Sequence, residues 1–113
     1  MENIRGDDCY RKLDNKGYIL YYFTASWCKP CQLILNDVNK LSEEYSPVVT
    51  FFKVDISDEE NNEICETCKV KSIPSFLLFK DRNYIDRVSG SNIQKVINMF
   101  HKLKINLIIT KDN

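Results

Sequence analysis

The chain has no charge of either sign to spare: 16 Lys and Arg stand against 16 Asp and Glu, and the formal net charge is zero. Without a basic excess there is no field toward nucleic acid or anionic lipid, and neither is expected as a partner. Long apolar runs are missing too. No segment approaches the ~20 apolar residues a membrane-spanning helix requires, and the opening MENIRGDDCYRKLDNKG lacks the apolar centre of a secretory signal. There is no internal repeat, low-complexity tract or linker, and 113 residues leave no room for a second domain. These absences lead us to expect a single domain over residues 1–113, monomeric and cytoplasmic. The cysteine count agrees: five is an odd number, which suits a reducing compartment with reactive or buried thiols better than a fully paired secreted scaffold.

What is present alternates strand-like and helix-like stretches. YILYYFT (18–24) is an apolar and aromatic run of strand length, apolar on both faces, as a central strand covered by helices on each side would be. After Cys31, Ile34, Val38, Leu41 and Tyr45 keep helical spacing as far as Ser46, which Pro47 pushes out of the helical region. That helix begins at the cysteines. VVTFFKVD (48–55) reads as a second strand and DEENNEICETCK (58–69) as a polar helix. SFLLFK (75–80) and YIDRVS (84–89) read as paired strands around the loop DRN (81–83). A last helix starts near Ser91 with Ile93, Val96, Ile97, Phe100 and Leu103 on one face, while NLIIT (106–110) is assigned to no element. This β-α-β, then β-β-α, order predicts an α/β sandwich whose first strands are parallel and whose last pair is antiparallel.

Two cysteine pairs share one spacing, in TASWCKPCQL (24–33) and ICETCKV (64–70). Four such sulfurs can build a tetrahedral zinc site, but the 33 residues between Cys31 and Cys65 exceed the gap of zinc ribbons, and CETC lies inside a helical pattern instead of on a turn. No metal is expected. Cys65 and Cys68 are expected to include at least one small buried hydrophobe, with a regulatory second disulfide as the alternative. Cys9 reads as an incidental thiol and His101 as a solvated surface residue.

The first pair sits where a buried strand runs into a helix. Unpaired backbone N–H groups and the positive end of the helix dipole there favour a thiolate, and such settings lower a cysteine pKa from about 8.5 into the range of roughly 3.5 to 7.5. Cys28 is therefore the expected nucleophile. Pro30 suits the first helical turn, where its missing N–H would have no partner, and Cys31, one step inward, is expected to be shielded. Lys29 adds a positive charge beside Cys28, largely screened by solvent.

FTASWCKPCQL, FFKVD, VKSIPSFLLFK and VSG, in this order, resemble the successive signature segments of the thioredoxin family, from about Ile4 to Leu103, with 104–113 as a tail outside the resemblance. The resemblance implies an α/β fold with a mixed four- to five-stranded sheet flanked by helices on both faces. It implies a protein dithiol–disulfide oxidoreductase in which Cys28 attacks and Cys31 resolves, passing through a Cys28–Cys31 disulfide with no bound cofactor. Trp27 would shield the pair, Pro74 would be the cis-proline facing the sulfurs, Ile73 would hydrogen-bond an extended substrate segment, and Gly90 would shape that surface. The implied partners are protein disulfides and an NADPH-linked, flavin-dependent thioredoxin reductase.

The chain departs from the family pattern at three places. Tyr22, six residues before Cys28, stands where the family usually carries a buried carboxylate that moves the proton of the resolving thiol. A phenol of pKa about 10 is a poor base at neutral pH, and Lys53, which in many relatives lies beside that carboxylate, must find another partner, reach water or lose its proton. Asn36 replaces a proline that kinks the helix, and Lys29 replaces a glycine. Loss of the carboxylate keeps open an alternative, a binding or redox-sensing module with slow turnover. Without the motif, Tyr21 and Tyr22 would read as ordinary core aromatics.

Overall fold

The computed structural model describes residues 1–106. Its elements are β1 (Glu2–Ile4), α1 (Asp8–Arg11) running into a 3-10 turn (Lys12–Asp14), β2 (Tyr18–Thr24), α2 (Lys29–Glu44) and β3 (Val49–Asp55). A 3-10 turn (Glu59–Asn61) then leads into α3 (Asn62–Thr67), followed by β4 (Ser75–Lys80), β5 (Asn83–Ser89) and α4 (Ile93–Lys102). The strands form one sheet in the order β1-β3-β2-β4-β5. β3 is parallel to both β1 and β2, while β4 runs antiparallel to β2 and to β5.

β2 holds the centre of this sheet, and its alternation divides the core. Leu20 and Tyr22 point to one face, where they pack with Ile34, Val38 and Leu41 of α2, Val96 and Phe100 of α4, and Phe76 and Leu78 of β4. Ile19, Tyr21 and Phe23 point to the other, against Cys9, Leu13, Ile64, Leu77 and Phe79. Each such aliphatic or Phe side chain is worth roughly 1.5–3 kcal/mol when removed from water. Tyrosine is tolerated at both depths because its hydroxyl finds a carbonyl: Tyr21 donates to Cys9 O and Tyr22 to Cys31 O.

Several elements and boundaries differ from the sequence reading. β1 and α1 carry too few residues to show a period, and what anchors them is tertiary. The side chain of Asn61, itself fully buried, accepts the Gly6 N–H at 2.9 Å and donates to Asp55 O at 2.9 Å. The polar helix expected over 58–69 is a 3-10 turn capped by Asp58, then only Asn62–Thr67, closed by Lys69 at φ 54° and a bond from Val70 N–H to Cys65 O at 3.0 Å. Asn83 belongs to β5, because Asp81 and Arg82 alone make the turn, both at positive φ (52° and 69°), as a tight two-residue hairpin requires. α4 opens at Ile93 with Asn92 as its cap, accepting from Gln94 N–H at 3.0 Å. NLIIT lies outside the described residues from 107 onward. Among the described residues, no helix is long and apolar enough to cross a membrane.

Candidate active site

The two sulfurs of the first pair stand at the end of the sheet where β2 turns into α2. Cys28 is the N-cap of that 16-residue helix, with extended backbone (φ −86°, ψ 106°), and its sulfur accepts the Cys31 N–H at 3.2 Å. Pro30 falls in the first turn, where no donor is lost. The cysteines are joined in a disulfide with Cα atoms 5.3 Å apart. Cys28 retains 5% exposure and Cys31 none, so Cys28 is the residue of the pair nearer to solvent. Once the bond is reduced, the free amide and the positive end of the helix favour a thiolate at that outer sulfur.

The walls come from neighbouring segments. Ala25, Ile56 and Ile73 pack on the sulfurs. Trp27, next to Cys28, is 67% exposed. The Ile73–Pro74 peptide bond is cis, and Ile73 O lies 4.0 Å from Cys28 Sγ. Gly90, at φ +100°, donates its N–H to Pro74 O at 2.9 Å, which ties the end of β5 to the proline loop. Ser75, a buried polar residue that the sequence reading passed over, reinforces that tie by bonding Ser72 O at 2.6 Å and Ser89 Oγ at 3.1 Å. Ile56 was also missed, and nothing in its local pattern marks it, since a single apolar residue after a strand reads as loop.

Tyr22 is fully buried beneath the pair and stacks on Phe76 at 5.2 Å, its hydroxyl 2.9 Å from Cys31 O. Burial pushes its pKa up, away from any role as a base. Lys53 pairs with Tyr22 across β2 and β3 and is half-buried beside a recess of about 170 Å³ that Gln32, Leu35 and Asp55 also line. Lys29 is exposed beside Cys28.

The second pair lies on the other face of the sheet, at the C-terminal end of α3. Cys65 and Cys68 are free, half-buried thiols packed against the Ile19–Phe23 cluster, and burial raises both of their pKa values, with Arg87 opposing the rise at Cys68. Cys9 is fully buried in the same cluster, its sulfur 3.6 Å from Asn61 Oδ1, and burial pushes its thiol up to about 12. It is a core residue. His101 is exposed. Among the described residues, no group of three or more His, Cys, Asp and Glu side chains could hold a metal ion.

The thioredoxin family model matches residues 4–102. An H-type thioredoxin of Fagopyrum esculentum is 35% identical over 97 residues, which cover 86% of this chain and 78% of that protein. A thioredoxin of Callithrix jacchus is 34% identical over 99 residues, 85% of this chain and 91% of that one. The X-ray structure of Fasciola hepatica thioredoxin superimposes with a TM-score of 0.80 at 30% identity, covering 90% of this chain and 98% of the other. The chain belongs to the thioredoxin family, and its fold and redox-active cysteine pair make it a dithiol–disulfide oxidoreductase of that type.

Proposed function

We propose that Cys28 is the attacking thiol and Cys31 the resolving thiol of a protein-disulfide reductase that works as a cytoplasmic monomer and is recharged by an NADPH-linked thioredoxin reductase. The Cys28 thiolate attacks one sulfur of a substrate disulfide, forming a mixed disulfide and expelling the other sulfur as a thiolate. Cys31 then loses its proton and attacks the Cys28 sulfur, releasing the second substrate thiolate and leaving the Cys28–Cys31 bond oxidised. Two electrons pass from the protein to the substrate, and the reductase returns two, so the chain carries electrons without a bound cofactor. Trp27, Ile73, Pro74 and Gly90 form the surface on which an extended substrate segment lies, with the Ile73 backbone as its hydrogen-bonding partner. Lys29 and Pro30 shape the turn between the thiols.

The observation that carries these roles is the 3.2 Å contact from the Cys31 N–H to Cys28 Sγ, which places the favourable field at the outer sulfur and leaves the inner one shielded. Coupled insulin reduction with NADPH and a thioredoxin reductase tests the reading. Steady turnover is expected. A protein whose dithiol titrates normally yet stays silent in that assay, and also when reduced chemically, would instead be a binding or sensing module, the role that Tyr22 in place of a carboxylate favours.

A further inference from the structure

The charges of this neutral chain are unevenly placed around the sulfurs. Three segments meet there: the active-site turn (26–33), the proline loop (71–75) and the link from β5 to α4 (89–95). They contain Lys29, Lys71 and Lys95, all exposed, and no Asp or Glu. A fourth segment, 55–60, reaches the pair through Ile56 and carries Asp55, Asp58, Glu59 and Glu60. The strand order separates the two signs. β3 lies on one side of β2 and β4 on the other, so the carboxylates of 55–60 lie toward β3, where Lys53 is the one lysine beside the site, while Lys71 and Lys95 lie toward β4 and β5 with no carboxylate in their segments.

The lysine side is the one that faces Ile73. Its carbonyl is 4.0 Å from Cys28 Sγ, Pro74 O receives the Gly90 N–H at 2.9 Å, and Lys95 Nζ lies 3.4 Å from Ser89 O. A Cβ placed on Gly90 would stand 4.0 Å from the same ammonium. Lys95 thus hangs over the loop that braces the proline, and Lys71 stands two residues before Ile73. On the carboxylate side, Asp58 is already held by Arg5 at 2.8 Å and Asp55 accepts from Ser57 at 2.6 Å. Lys29 and Lys71 have no ion-pair partner among the described residues, and neither does Lys95.

We propose that this surface selects protein disulfides whose flanking segment is acidic, with Lys71 and Lys95 as the specificity-determining residues and Lys29 contributing beside the nucleophile. The inference rests on the substrate segment lying along Ile73, as set out above. These charges are solvated, and at about 0.15 M salt they act over roughly 8 Å, so they work mainly on the encounter rate and are sensitive to salt.

The test uses chemically reduced protein in single-turnover reactions, so that no reductase is involved. Three fluorogenic peptide disulfides serve as probes, identical except for two flanking residues that are Glu, Gln or Lys. At about 0.02 M salt the Glu peptide is expected to react roughly five- to tenfold faster than the Lys peptide, with the Gln peptide between them, and the gap should shrink to within about twofold at 0.5 M salt. Lys95→Glu and Lys71→Glu should each reduce the Glu-to-Lys ratio by about threefold at low salt. Reduction of all three peptides at equal rates would overturn the charge inference and leave the reductase reading intact. A ratio untouched by either substitution would overturn the assignment to these lysines. Failure to reduce any of the three would remove the reductase reading and this inference with it.

Discussion

The two CxxC pairs of this chain have the same spacing and opposite placements. Cys28 caps the beginning of α2, where its sulfur meets the Cys31 N–H and the positive end of 16 aligned residues. Cys65 lies in the last turn of α3, a helix of six residues, and Cys68 is its C-cap. There the Cys65 carbonyl accepts from Val70 N–H at 3.0 Å, and the Cys68 N–H is spent on Ile64 O at 2.9 Å. The first environment favours a thiolate, while burial in the second raises both thiol pKa values. Two residues between cysteines therefore set a distance and no more. Since the first pair is the more buried of the two, burial alone would not favour it, and reactivity is expected to follow the end of the helix that the sulfurs occupy.

The sharpest way to break this comparison is to remove the outer sulfur. Cys28→Ser should lower disulfide reduction by about 10³-fold or more, as loss of a nucleophile does. Cys31→Ser should permit the first attack and accumulate a mixed disulfide through Cys28, which mass spectrometry would identify. Trapping through Cys31 in the Cys28→Ser protein would reverse the two roles.

A smaller effect is expected at Tyr22. Attack by Cys28 does not use this residue, whereas attack by Cys31 requires a buried thiol to lose its proton beside a phenol whose own pKa burial has raised. Tyr22→Asp should speed resolution of a Cys28 mixed disulfide by about tenfold. That is well below the 10²-fold or more of a well-placed base, because the cavity left under Phe76 costs on the order of 3 kcal/mol of stability. Stopped-flow resolution rates from pH 6 to 9 in both proteins check this. An unchanged profile in a folded variant would mean that water or another group already takes the proton.

The second pair supplies the control. Cys65→Ser and Cys68→Ser should each leave insulin reduction within about threefold, since neither sulfur touches the reacting atoms. Zinc analysis of the purified protein should find no stoichiometric metal.

The mildest effect is on stability at high pH. Cys9, Cys65 and Cys68 all have folded-state values raised by burial, Cys9 to about 12 from 9.0. Their contribution is complete below the unfolded thiol value near 9 and is lost as pH rises through the folded values, because the unfolded chain releases these protons first. The urea midpoint should fall between pH 8 and 10.5, and by less in Cys9→Ala, compared with its own value at pH 8.

Much of the fold was legible because its strongest segments are periodic or apolar. YILYYFT coincides with β2 to the residue, and the helix from the cysteines to Tyr45 differs from α2 only at its last turn. The parallel first strands and antiparallel last pair follow from the order of elements. What escaped was held by tertiary contacts. β1 is three residues paired to β3, and α1 is anchored through Asn61, so neither has a period to detect. Tyr21 and Tyr22 read alike in sequence, yet they serve opposite faces, Tyr21 reaching Cys9 O and Tyr22 reaching Cys31 O. At the site, the helix start at Cys28 could be read locally. The Gly90–Pro74 bond and the Ser75–Ser89 contact join separate segments of the chain, and their geometry could not.

The pH dependence of alkylation tests the central claim most directly. Reduced protein is treated with iodoacetamide from pH 5 to 10, and the modified cysteines are mapped by mass spectrometry. Cys28 should react first, with an apparent pKa below the ordinary value of about 8.5, while Cys65 and Cys68 stay slow until well above it. Alkylation of Cys65 or Cys68 at the rate of Cys28 near neutral pH, or of Cys31 ahead of Cys28, would contradict the claim that helix end and not spacing decides which pair is reactive.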